Sequence, residues 1–368
     1  MLRHVDHAFG MREPYAVGIE EELLLVDART LELSHASSEI LARVTPGDGA
    51  LMHDTYEAVV EAASPVCPDA VSATRTLAGM RAALRSAGAL TIGAGIHPDG
   101  AFGDVVHVDS PRYLELAGHM RGLFGRTPTC ALHLHVGMPD PETAIRACTR
   151  MRAFLPLLQA LAAHSPFWHG TDSGFASARA NLFRGLPHAG IPRAFSGWDE
   201  YLATVDAVVA AGDARDYTFL WWDIRPHPRL GTLEIRIMDA QSRLDSVAGL
   251  CALAHGLAVH CAHEVPAETL PPTEALAESS FRAARDGLAA TLWWDGAMRP
   301  VPEIARRALT LAVPHARDTG TEAALEEIER ILAEGNGADR MRAAHRRGGM
   351  RAVLEHLAAE AAAPYGAA

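Results

Sequence analysis

Gly18-Ile19-Glu20-Glu21-Glu22-Leu23-Leu24-Leu25-Val26-Asp27 sets three acids in a row inside an apolar run. A run of Ile, Leu and Val reads as a buried or half-buried strand, and along a strand alternate side chains share a face. Glu20 and Glu22 therefore point one way and Glu21 the other. Two carboxylates at i and i+2 sit roughly 6.5 Å apart along a strand, too close to stay ionised in a dry setting without a compensating cation. A divalent metal supplies that compensation. The plain alternative is an edge strand whose acids face water, and the rest of the chain has to decide between them.

The segment Gly231 to Asp239 (GTLEIRIMD) repeats the alternation, with Thr232, Glu234, Arg236 and Met238 on one face and Leu233, Ile235 and Ile237 on the other. A salt-bridged edge strand would look the same, but Glu234 is also placed to ligate a metal and Arg236 to steady a phosphoryl group. In His53 to Ser64 (HDTYEAVVEAAS), Glu57 and Glu61 lie four apart, which puts them on one face of either a helix or a strand. The strand Thr129 to Gly137 carries His133 and His135 on a common face. A His-x-His pair suggests zinc, yet the acids outnumber the histidines, and oxygen-rich sites favour Mg²⁺ or Mn²⁺.

Length and composition leave room for one large domain or two smaller ones: 368 residues, 49% hydrophobic and 21% charged. There is no lysine, so all 33 basic residues are arginine, and a P-loop is excluded. The formal net charge of -12 argues against a nucleic-acid partner. Five cysteines without a C-x-x-C pair suggest neither a disulfide framework nor a structural zinc site. The start MLRHVDHAFG lacks the apolar core of a signal peptide, and no stretch is expected to approach the roughly 20 apolar residues of a membrane span. The expectation is a cytoplasmic protein with no membrane partner.

Strands are expected in the first two thirds, over about 15–240, and helices from about 242–363, the segregated order of an α+β protein forming a single catalytic domain. The pattern predicts a helix from Pro141 toward His164 kinked at Pro156, and helices over Leu244 to Glu264, Ala275 to Leu292, Pro302 to Ala316, Glu322 to Glu334 and Met350 to Ala363. The irregular segment from Ser165 to Ser196 includes ARANLFR, a candidate clamp for a carboxylate or phosphate.

Taken together and in this order, GIEEELLLVD, HDTYEAVVE, HLHVG, GTDSGFASARANLF and WWDIRPHPRLGTLEIRIMDAQ resemble the bacterial type 2 glutamate-cysteine ligase, or carboxylate-amine ligase, family over roughly residues 15 to 350. The resemblance implies a glutamine-synthetase-like fold: a curved antiparallel sheet with the site on its concave face, helices on its outer face and a helical C-terminal region. It implies ATP-dependent amide formation through an acyl phosphate, with Mg²⁺ (or Mn²⁺), small-molecule substrates and a homodimer. Carried over, Glu20, Glu22, Glu57, Glu61 and Glu234 match metal-binding acids, with His135 beside them. Arg236 and Glu57 fall in the catalytic set, Thr232 and Arg236 near the nucleotide, and His133, Arg179, Asn181 and Arg225 near the substrates. Glu21, where an apolar residue is also usual, and the loop SGFASARANLF depart from the family pattern. Two rivals predict other outcomes: a zinc hydrolase built on His133 and His135, which would ignore nucleotide, and a non-catalytic ATP-binding module, which would release no ADP.

Overall fold

The computed structural model describes residues 7–212, 214–263 and 270–366. Its strands are β1 (Val17–Val26), β2 (Ala50–His53), β3 (Val59–Ala63), β4 (Leu90–Ile92), β5 (Ala131–Gly137), β6 (Phe167–Trp168), β7 (Thr171–Asp172), β8 (Ile224–His227), β9 (Thr232–Asp239), β10 (Thr291–Trp294) and β11 (Ala297–Pro300). Its helices are α1 (Ser37–Leu41), α2 (Ala70–Ser86), α3 (Pro111–Met120), α4 (Pro141–Met151), α5 (Leu155–Leu161), α6 (Ala178–Phe183), α7 (Trp198–Ala211), α8 (Leu244–Ala262), α9 (Thr273–Asp286), α10 (Val301–Asp318), α11 (Glu326–Glu334) and α12 (Gly337–Ala362).

The main sheet runs β2-β3-β1-β5-β9-β8, and every pairing in it is antiparallel. The opening stretch is its shared strand: β1 pairs β3 through Glu20 to Leu24, β5 through Val17 to Glu21, and β4 through Leu24 to Val26. One face is apolar. Val17, Ile19, Leu132, Leu134, Val136, Leu233 and Ile235 belong to a buried cluster that continues into α2, α4, α5, α8 and α10, so sheet and C-terminal helices share one core. The alternation that the sequence displays is thus the division between helix-covered and open faces of the sheet.

Within that core lies one ion pair. Glu21, 1% exposed, accepts from Arg81 of α2, 0% exposed, with Nε to Oε1 at 2.9 Å and Nη2 to Oε2 at 2.6 Å. Arg81 also donates to the carbonyls of Gln241 and Ser242, at 2.8 and 2.5 Å. Its fork therefore ties β1, α2 and the chain just beyond β9 together.

Four sequence expectations change. The helix expected through Pro156 is divided into α4 and α5 by a 3-10 turn over Arg152–Phe154, and Pro156 stands at the start of α5, where a missing N–H leaves no helix bond unmade. A hairpin, β10 and β11, begins inside the stretch expected as helix to Leu292. Helix α12 starts well before Met350, at a capping box on Asn336 and Asp339, and kinks at Gly348 and Gly349. Contrary to the expectation for membrane spans, α8 is by length and composition long and apolar enough to cross one; 89% of that stretch is buried among the other elements, which makes it the core helix of the layer. The expected end of α8 at Glu264 lies outside the described residues.

The fifth change concerns β9. Leu132 pairs with Met238 but Leu134 pairs with Ile235, so Arg236 and Ile237 together oppose His133. This β-bulge resets the pleat. Met238, expected on the face of Glu234, instead joins the core cluster with Ile235.

Candidate active site

Glu20 and Glu22 stand on the open face of β1, with side chains 25% and 13% exposed. The register then dictates their neighbours: Glu22 lies across from Glu61, Glu20 across from His133, His135 across from Glu234, and Glu234 across from Arg225. Five strands thus deliver acids, histidines and arginines to one patch.

Glu22, Glu61 and Asp54 bring carboxylate oxygens within 4.8 Å of one another. Asp54, just past the end of β2, is a residue that the sequence reading did not select. Glu57 is not brought to this group. It lies in the turn between β2 and β3, where its carboxylate accepts from Ser37 Oγ at 2.9 Å, Ser38 N at 2.9 Å and Ser38 Oγ at 2.5 Å, closing the start of α1. A spacing of four does not bring Glu57 beside Glu61, because regular periodicity begins only at Val59.

The three acids of the cluster all have raised pKa values. Burial and the facing Asp54 push Glu22 up to about 8. Burial, with Glu20, Glu22 and Asp54 close by, raises Glu61 well above the usual carboxylate range, and burial raises Asp54 against hydrogen bonds from Thr55. Three oxygen ligands with no thiol suit a hard divalent cation such as Mg²⁺ or Mn²⁺.

Glu20 differs. Burial opposes its charge, but His135 and the hydrogen bond from His133 hold its carboxyl well below the usual range. His133 Nδ1 donates to Glu20 Oε2 at 3.4 Å, and His133 Nε2 lies 3.9 Å from Glu22 Oε1. Burial, aided by Arg236, pushes His133 down to about 4, which leaves it neutral. His135 Nδ1 is 2.9 Å from Thr232 Oγ1. Its Nε2 is buried 3.3 Å from Glu20 Oε1 without making a hydrogen bond. Two donors about 3 Å apart are spaced as adjacent ligands at about 2.1 Å from one ion, so Glu20 and His135 fit a second cation.

Glu234 reaches the patch but is already engaged. Arg225 Nε donates to its Oε2 at 2.6 Å, Arg225 Nη2 to its Oε1 at 3.2 Å, and Arg236 Nη1 also donates to Oε1. Burial opposes the charge, yet the two arginines keep Glu234 well below the usual range. Arg225 spends its remaining donors on the carbonyls of Thr218 and Leu220, at 3.1 and 2.6 Å, and lines neither cavity described below. The expectation that it binds substrate gives way to a role in fixing Glu234. Asn181 does not line either cavity; its neighbour Arg179 lines the larger one.

Two cavities flank the patch. The larger, about 310 Å³, holds Glu22, Asp54, Glu61, His133, Arg179 and Arg236 in its wall. The smaller, about 200 Å³, opens on Glu20, His135 and Thr232 and is otherwise walled largely by small and apolar residues, among them Ala16, Val17, Gly18 and Ile19.

A crystal structure of the glutamate-cysteine ligase of Francisella tularensis in complex with AMP superposes with a TM-score of 0.67 at 12% identity, covering 95% of this chain and 89% of that one. The bifunctional glutathione synthetase of Pasteurella multocida superposes at 0.65 and 13%, covering 94% of this chain and 52% of that one. The fold is that of the glutamine-synthetase-like ligases. The family model described as glutamate-cysteine ligase family 2 matches residues 16–356. A Rubrobacter xylanophilus protein provisionally named glutamate-cysteine ligase 2-3 is 38% identical over 368 residues, covering 96% of this chain and 99% of the relative. The glutamate-cysteine ligase of Halobacterium salinarum is 34% identical over 288 residues, covering 75% and 80%. The chain belongs to glutamate-cysteine ligase family 2, and is an ATP-dependent carboxylate-amine ligase.

Proposed function

We propose that the chain joins the side-chain carboxylate of L-glutamate to the amine of L-cysteine, converting ATP to ADP and phosphate. The observation that carries the reading is the placement of Glu22, Asp54 and Glu61 beside Arg236 in the wall of one cavity. Divalent cations held by these acids, and by Glu20 with His135, would neutralise phosphate charge during transfer.

The residues of the chain then have separable tasks. The smaller cavity, apolar and walled partly by backbone, suits a flat nucleobase. Thr232, in its wall, and Arg236, in the wall of the larger, lie about 14 Å apart along β9 at about 3.4 Å per residue. A nucleotide laid along the strand puts its terminal phosphate at Arg236, which is fixed by Glu234 and permanently charged. The γ-phosphoryl passes to a carboxylate oxygen of the substrate in the larger cavity, ADP leaves, the amine attacks the acyl carbon, and phosphate departs as the amide forms. Neutral His133 stands at that junction, hydrogen-bonded to Glu20. Catalysis here is positioning and charge stabilisation.

Incubation with ATP, Mg²⁺, L-glutamate and L-cysteine, with product mass and phosphate release both read, tests the reading. γ-Glutamylcysteine and stoichiometric phosphate are expected, with Glu61→Gln inactive. Phosphate release with no carboxylate and amine pair would end it.

A further inference from the structure

Four arginines line the larger cavity, and three of them are accounted for. Arg236 is held by Glu234. Arg179 lies 3.5 Å from Asp239 and donates to the carbonyls of Arg236 and Ile237. Arg112, exposed on α3, covers the ring of Phe219 at 5.7 Å.

Arg126 is the exception. It is half-buried, and among the described residues it pairs with no carboxylate. Its hydrogen bond is a long one, from Nη2 to the carbonyl of Leu182 at 3.4 Å; its Nε is buried with no partner, as are those of Arg179 and Arg236, but those two have Asp239 and Glu234 to hold their forks. A guanidinium drawn partly out of water with no acid and one long hydrogen bond is costly, which makes a missing anion the natural explanation. The planar fork of Arg matches a carboxylate through two parallel bonds. Arg236, and a cation held by the acid cluster in the wall of the same cavity, would provide for the phosphoryl group and the reacting carboxylate.

The geometry points to Arg126 as the residue that selects the carboxylate substrate: it binds the second, non-reacting carboxylate of a dicarboxylic amino acid whose other carboxylate lies at the acid cluster. This rests on the ligase reading for the site, and goes beyond it in naming the residue that tells a dicarboxylic substrate from a monocarboxylic one. A monocarboxylate of the same length leaves the Arg126 fork unsatisfied and binds weakly.

Titration calorimetry of the full chain with Mg²⁺ and a non-hydrolysable ATP analogue tests this, comparing L-glutamate with 4-aminobutyrate, which lacks only the α-carboxylate. Wild type is expected to prefer glutamate roughly 10–100-fold, the worth of a charge-assisted pair. Arg126→Gln is expected to bind the two within about twofold, by losing affinity for glutamate alone. A preference undiminished in Arg126→Gln overturns the assignment, as does a wild type that does not discriminate or binds neither. Should Arg126→Gln melt far below wild type, Arg126→Lys decides: it keeps charge and stem but not the fork, and should cost roughly tenfold in glutamate affinity, unchanged affinity being the overturning result. Phosphate release is measured separately. Its absence with discrimination intact removes the ligase reading and leaves Arg126 as a carboxylate anchor.

Discussion

Glu21 and Arg81 form a doubly bonded ion pair from which solvent is excluded, on the face of β1 opposite Glu20 and Glu22. Glu21→Gln leaves a buried guanidinium uncompensated and is expected to lower unfolding free energy by about 3–5 kcal/mol. Turnover per folded molecule should stay near wild type, because the side chain faces the helices. Denaturant melts beside active-site-normalised rates check both halves. A folded Glu21→Gln as inactive as Glu20→Gln would contradict the strand phase.

Asp54, and not Glu57, is expected to serve the cation. Asp54→Asn removes a cluster oxygen and is expected to raise the Mg²⁺ concentration for half-maximal rate by about tenfold or more. Glu57→Gln weakens the closure of α1, for a loss of about 1 kcal/mol with the Mg²⁺ requirement unchanged. Metal titrations of the two variants separate these outcomes.

Arg225→Met should act through Glu234. It removes two hydrogen bonds from that carboxylate and leaves the carbonyls of Thr218 and Leu220 without their donor. A fall of about 3 kcal/mol in stability is expected, and the affinity for L-glutamate, measured calorimetrically at low temperature, should stay near wild type. A selective loss of glutamate binding with full stability would return Arg225 to the substrate site.

The acid cluster makes metal binding pH-dependent. Below the ordinary carboxylate range, about 4.3, Glu22 is protonated whether folded or unfolded. Between there and about 8 it is protonated only in the folded chain, so unfolding releases a proton and the metal-free protein loses stability as pH rises. Glu61 and Asp54, raised in the same direction, add to that slope. A divalent cation displaces these protons, so the rise in melting temperature on adding Mg²⁺ should be small near pH 5 and grow toward pH 8. A shift independent of pH would dissociate the metal from this cluster.

What the sequence made legible was whatever a regular period could carry. The alternation in β1 separated Glu21 from Glu20 and Glu22, and the antiparallel register brought Glu61, His133, His135 and Glu234 to that face. Irregular backbone hid the rest. Asp54 and Glu57 flank the start of a turn, where spacing says nothing about direction. Arg225 sits on a short strand whose partner acid is set by pairing with β9. Arg126 lies in the irregular stretch before β5, where no pattern marks a cavity wall.

The bulge opposite His133 gives β9 two parities. Up to Arg236 the even-numbered residues are the chemical ones, while at Met238 an even-numbered residue is already structural. Deleting either Arg236 or Ile237 would leave a single residue opposite His133 and an unbroken pleat, with Glu234 still across from His135 and Met238 still across from Leu132, so both faces keep their residues. The length of this strand is therefore adjustable at one place: a deletion at the bulge keeps Thr232 and Glu234 on the open face, whereas a deletion between them would reverse the face of what precedes it.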